Sequence, residues 1–170
     1  MAKIVKDRTQ GYGELSFKGV LDIIEDIKEH QPVHNFLDIG SGYGFIPRAV
    51  RDILNTEVCV GIEINKERFD ICNMLHKEFD KTGYYKGALH YVKGDIYKQT
   101  HFIKKADYIF SNSCLFHKDF PQFVVDNMKK GAVFITNSKY KHVDATLNLD
   151  VTWQSKQRPF SKIIKKYIGS

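Results

Sequence analysis

Between His34 and Ser138, short apolar runs alternate with segments of helical periodicity, and this alternation restricts the chain to few folds. The runs "HNFLDIG", "VCVGIEI", "ALHYVKGD", "ADYIFSN" and "GAVFITNS" read as strands. Helical spacing covers Phe45 to Asn55, with Pro47 tolerable only in the first turn, then Lys66 to about Lys81, and later "PQFVVDNMKK". The stretch leading to Lys105 reads as irregular. Ahead of the first strand, Phe17, Val20, Leu21, Ile24 and Ile27 recur at three- and four-residue steps, which predicts an amphipathic helix from Ser16, its N-cap, to His30. Strands alternating with helices imply parallel βαβ units and helices on both faces of one sheet. After Lys141 the rhythm changes: "VDATLNLDVTWQ" and "PFSKIIKKYI" predict an antiparallel hairpin at one edge.

At 170 residues the expected organisation is a single domain over 1–170. No apolar run approaches a membrane span, so no membrane partner is expected. The N-terminus lacks the apolar stretch of a signal peptide, and the expected location is intracellular: nuclear, or cytoplasmic in a prokaryotic or viral setting. Three cysteines without a CxxC pair, and histidines without clustered acids, predict neither disulfide nor metal. The formal charge of +6 favours polyanionic partners. Part of it lies in "SKQRPFSKIIKKYIGS", a candidate nucleic acid contact and equally a solvated basic face.

The stretch "FLDIGSGYGF" joins the first strand to its helix through Gly40, Gly42 and Gly44. Bare glycines allow close approach of a ligand and close packing of the following helix. A dinucleotide fingerprint has the spacing G-x-G-x-x-G; here Gly-Ser-Gly-Tyr-Gly follows Asp38, a carboxylate that repels pyrophosphate and attracts an ammonium group. Glu63, at the end of the second strand, is placed to accept both hydroxyls of a ribose, and Asp95, at the end of the third, an adenine amino group. Three acids at successive strand ends suit S-adenosylmethionine, whose product is S-adenosylhomocysteine: ammonium, ribose, adenine and no phosphate. Each acid alone reads first as an exposed strand-end residue or a helix cap; the set of three favours the cofactor.

With "GYGELSFKGV" ahead of the first strand, and "VGIEI", "VKGDIY" and "IFSNSCLF" after it, the chain resembles the disruptor-of-telomeric-silencing family, histone-lysine methyltransferases without a SET domain. The resemblance runs from about Tyr12 to the C-terminus, and Tyr12-Gly13-Glu14 with Ser16 is its most specific part. It implies a Rossmann-like, class I S-adenosylmethionine-dependent methyltransferase: an α/β fold with a mostly parallel seven-stranded sheet and a C-terminal antiparallel hairpin. It also implies a histone, nucleosome or other basic chromatin protein as substrate. By residue, it implies that Tyr12 to Ser16, with Glu14 among them, form a loop closing over the methionine portion of the cofactor, that Asp38 and Gly40 hold its amino acid end, and that Ser41, Gly42, Gly44, Phe45, Ile64 and Asn112 also belong to the cofactor-binding set. Glu63 would hold the ribose, and Asp95 and Ile96 the adenine. Asn112 would stand beside the methyl group, and Trp153 and Phe160, with Tyr12, would wall the lysine channel. Leu15, Phe45, Ser113 and Phe160 depart from the family pattern. The other readings are a nucleic acid methyltransferase, for which Ser111-Asn112-Ser113-Cys114 lacks the expected prolines and stacking aromatic, and a non-catalytic cofactor-binding relic.

Overall fold

The computed structural model describes residues 15–30, 32–81, 83, 87–112, 116–137, 147–153 and 160–168, the last two ranges as backbone. Helix α1 spans Phe17–Glu29 and starts as the sequence predicts: the Ser16 hydroxyl accepts a hydrogen bond from the Gly19 N–H at 3.1 Å. Its buried face differs from the predicted one. Gly19, Val20, Ile23, Ile24, Asp26 and Ile27 point inward, while Phe17 is 68% and Leu21 37% exposed. The 19/20, 23/24, 26/27 stripe follows the helical repeat more closely, and it carries an acid because Tyr108 supplies a donor: the phenol donates to Asp26 Oδ2 at 2.5 Å.

The remaining elements alternate: β1 (Asn35–Ile39), α2 (Phe45–Leu54), β2 (Val58–Glu63), α3 (Lys66–Asp80), β3 (Ala88–Lys93), α4 (Thr100–Lys105), β4 (Tyr108–Ser111), α5 (Phe120–Asn127) and β5 (Val133–Thr136), followed by β6 (Leu147–Trp153) and β7 (Phe160–Ile168). Strand order is β3-β2-β1-β4-β5-β7-β6. The parallel part comprises five of the seven strands, β1 to β5, and β7 and β6 follow β5 with antiparallel pairing. The stretch read as irregular holds a single 3-10 turn, Ile96–Lys98, and the six-residue α4. A helix that short shows no sustained period.

Successive strand residues serve opposite faces, so each run is apolar throughout. Phe36, Tyr108, Phe110, Val133 and Ile135 pack with α1 residues Val20, Ile23, Ile24 and Ile27. Leu37, Ile39, Ile109 and Phe134 pack with Ile103 of α4 and Phe120 and Val124 of α5. Leu15, where the family pattern differs, is buried in the first of these clusters, which accounts for an apolar residue there. Arg51 of α2 is buried and bonded to Asp52 at 2.8 Å and to Asp80 at the end of α3 at 2.7 Å, which ties two helices of one face together.

Candidate active site

The order β3-β2-β1-β4-β5 reverses direction between β1 and β4, and open α/β sheets bind ligands beyond the carboxyl ends of strands at such a reversal. The sheet brings Asp95, Glu63, Asp38 and Asn112 to that edge, one from each of four neighbouring strands, in that order.

The turn between β1 and α2 owes its shape to its glycines: Gly40, Gly42 and Gly44 have φ of +79°, +56° and +76°. Four of its amides are committed within the protein. Gly40 and Ser41 donate to the Ile62 carbonyl at 2.8 and 3.0 Å, Gly42 to Glu63 Oε2 at 2.8 Å, and Gly44 to the Ser41 carbonyl at 2.8 Å. A phosphate cradle needs such N–H groups aimed at the ligand, so this turn is not one. The third glycine serves packing: a Cβ at Gly44 would lie 2.3 Å from Cys72 Sγ and 2.5 Å from the Tyr91 ring, and the Tyr91 hydroxyl donates to the Gly44 carbonyl at 2.7 Å. Ser41 is buried with its hydroxyl against Gly61, so its side chain belongs to the sheet contact. Phe116 stands over the first glycine, its ring 3.4 Å from where a Gly40 Cβ would be.

Asp38 is 2% exposed, and burial, with the nearby Glu63 charge as a second cause, pushes its carboxyl well above the ordinary carboxylate range. No hydrogen bond from a described residue offsets that cost. A carboxylate in that condition at a ligand-binding edge is suited to a cationic ligand group. Glu63 is also buried, but its oxygens are held: Oε2 accepts from Gly42 and Oε1 from the Asn65 N–H at 2.8 Å. Two fixed bonds orient the carboxylate, whose remaining lone pairs suit a vicinal diol. Asp95 has a structural duty as well: it caps the 3-10 turn, accepting from the Tyr97 N–H at 3.0 Å. Ile96 beside it is buried, whereas Ile64 and Phe45 are 51% and 44% exposed on the rim.

Asn112 follows β4, and the Ser111 hydroxyl next to it donates to the Ile39 carbonyl at 2.8 Å, tying the ends of β1 and β4. Its side chain meets a residue the sequence reading passed over: Asn137, buried after β5, donates through Nδ2 to Asn112 Oδ1 at 2.5 Å. The signal was an amide after "VFIT" at the same strand-end position as Asn112 after "YIFS". Phe110 is a core residue. Tyr12, Glu14 and Ser113 lie outside the described residues; Trp153 and Phe160 are register partners where β6 ends and β7 begins. Among the described residues no group of three His, Cys, Asp or Glu could hold a metal ion, and no helix is long and apolar enough to cross a membrane.

Solved structures of similar fold include an O-methyltransferase from Bacillus cereus in complex with S-adenosylhomocysteine, at 13% identity and a TM-score of 0.63 over 98% of this chain and 93% of that one. A protein from Staphylococcus aureus described as a caffeoyl-CoA O-methyltransferase matches at 19% identity and 0.58, over 72% of this chain and 58% of its own. A methyltransferase from Thiobacillus denitrificans, also bound to S-adenosylhomocysteine, matches at 13% identity and 0.54 over 72% of this chain. The chain spans about half the length of the latter, 48%. These likenesses establish the Rossmann-like methyltransferase fold. No curated protein matches at the level of sequence. The family described as histone methylation protein DOT1 matches residues 6–162, nearly the whole chain, and the chain belongs to that family.

Proposed function

We propose that the chain is an S-adenosylmethionine-dependent protein-lysine N-methyltransferase acting on a histone or another basic chromatin protein. The buried Asp38 carboxylate, without a donor among the described residues at the sheet's reversal point, carries the cofactor assignment. Membership of the histone methylation family supports the substrate.

In this reading Asp38 takes the ammonium of the cofactor and Gly40 lies against its amino acid end. Glu63, fixed by the Gly42 and Asn65 amides, takes the ribose, with Ile64 on the rim. Asp95 and Ile96 take the adenine, with Tyr12, Glu14 and Ser16 closing over the methionine portion. Bound there, the cofactor supplies an electrophilic methyl group on a sulfonium. The protein's own task is alignment, since in-line displacement requires donor and nucleophile near contact distance. Asn112 orients the entering amine. A lysine ammonium with an unperturbed pKa of about 10.4 must also lose its proton, and a narrow channel with Phe116, Trp153 and Phe160 as walls disfavours the charged form by desolvation. The basic C-terminal segment rests on nucleic acid while the channel takes the lysine.

The test is transfer of labelled methyl from S-adenosylmethionine to core histones, nucleosomes, free DNA and RNA, using wild type, Asp38→Ala and Glu63→Ala. Methyl-lysine on histone, lost in both variants with the fold retained, is the expected result. Label confined to nucleic acid would overturn the substrate assignment. Cofactor binding without transfer to any acceptor would mark a non-catalytic binder.

A further inference from the structure

The end of β5 holds a buried polar group with no place in the cofactor ladder. Asn137 is 2% exposed, one position beyond the paired residues Ser111 and Thr136, so the parallel register sets it beside Asn112. Its Nδ2 donates to Asn112 Oδ1 at 2.5 Å. An amide side chain has two faces of opposite hydrogen-bonding character and turns readily about its last torsion. A buried donor on the oxygen removes that freedom: Asn112 Oδ1 is held towards β5. From the other side, the Ser111 hydroxyl on the Ile39 carbonyl fixes the strand end from which Asn112 projects. The amide is thereby pinned between β1 and β5 by groups belonging to the rigid sheet.

We infer that Asn137 is the positioning residue for Asn112, setting which face of that amide meets the substrate amine. The inference rests on the proposed place of Asn112 beside the transferred methyl group. Asn137 itself is not assigned any contact with substrate or cofactor; it acts through Asn112. A displacement or flip of one amide is felt in the chemical step, because alignment is most of what the protein contributes to in-line methyl transfer. In the proposed reading, cofactor affinity is carried mainly by the three acids further along the edge.

The experiment measures kcat and KM for methyl transfer to core histones, and calorimetric affinity for S-adenosylhomocysteine, in wild type, Asn112→Ala, Asn137→Ala, Asn137→Asp and the Asn112→Ala/Asn137→Ala double variant. Asn137→Asp keeps shape but replaces the donor by a carboxylate that repels Asn112 Oδ1. Both single Asn137 variants are expected to lower kcat about tenfold, with KM and cofactor affinity changed less than about twofold. The double variant is expected to be no slower than Asn112→Ala alone, the signature of one residue acting through the other. Wild-type kcat in both Asn137 variants, or a double variant as slow as the product of the two single losses, would overturn the inference. Failure of both Asn137 variants to fold would assign the residue to the core and overturn it too. If Asn112→Ala is fully active, the reading of Asn112 fails instead; if Asn112→Ala is impaired while both Asn137 variants are normal, only the present inference fails.

Discussion

Replacing Gly44 by alanine tests the account of the glycine turn. The residue has φ of +76°, and its added Cβ would lie 2.3 Å from Cys72 Sγ and 2.5 and 2.6 Å from two carbons of the Tyr91 ring. Three costs combine. A left-handed backbone costs an L-residue about 1–2 kcal/mol. Pushing the buried thiol and ring aside costs about 1–3 kcal/mol, as overpacking does elsewhere. Moving Tyr91 also loosens its 2.7 Å hydrogen bond to the Gly44 carbonyl, a contribution of about 1 kcal/mol. The sum, about 3–6 kcal/mol, is a large part of the stability of a typical domain. Gly131→Ala is the control, since Gly131 has φ of +77° with nothing within 4 Å of the added Cβ, and it isolates the backbone cost of about 1–2 kcal/mol. Equilibrium urea unfolding followed by circular dichroism gives both values. The reasoning is refuted if the two variants lose the same stability to within about 0.5 kcal/mol, because the contacts beneath Gly44 would then contribute nothing.

Asp38 links pH to both stability and binding. Its folded-state pKa is raised by burial and by Glu63, so the stability associated with its protonated form is complete below the ordinary carboxylate value of about 3.9 and is lost as pH rises through the raised one. Asp38→Asn is therefore expected to melt higher than wild type without ligand at neutral pH, with the gap closing towards pH 4 in scanning calorimetry, while losing about 10–100-fold in affinity for S-adenosylhomocysteine; a variant that binds as well as wild type refutes the ammonium assignment. In wild type, cofactor affinity is expected to rise with pH through the raised pKa, with proton uptake by buffer visible in calorimetry. Tyr108→Phe removes a donor to buried Asp26 and is expected to cost about 1–3 kcal/mol in the same unfolding assay; a neutral result would show that the other contacts of Asp26 suffice to hold it. Burial pushes the Cys59 and Cys72 thiols up to about 12, so both should resist iodoacetamide in the folded protein at pH 8 and react on unfolding, as read by mass spectrometry.

The parts of this molecule that were legible in the sequence are those with period or punctuation. Five apolar runs, the Ser16 cap and Pro47 in a first turn each have one local physical reading, and together they yield the alternating sheet and the strand ends that carry the three acids. What was hidden depends on neighbours distant in sequence. Asp26 is inward because Tyr108, on a strand far along the chain, supplies its donor, so periodicity of apolar residues alone shifted the buried face of α1 toward Phe17 and Leu21. Gly44 reads as either a ligand-contacting or a helix-packing glycine until Cys72 and Tyr91 are seen beneath it. Asp95 serves as both a cap and a candidate adenine contact, two roles that one residue type in one position cannot separate. Asn137 carries no motif; only the pairing of β4 with β5 places it on Asn112.

A crystal structure of the protein with S-adenosylhomocysteine bound tests the central claim most directly. The account predicts the ligand along the carboxyl edge, its ammonium on Asp38, its ribose hydroxyls on Glu63 and its adenine beside Asp95 and Ile96, with Asn112 facing the sulfur. A ligand bound elsewhere, or one whose ammonium has no contact with Asp38, would contradict it.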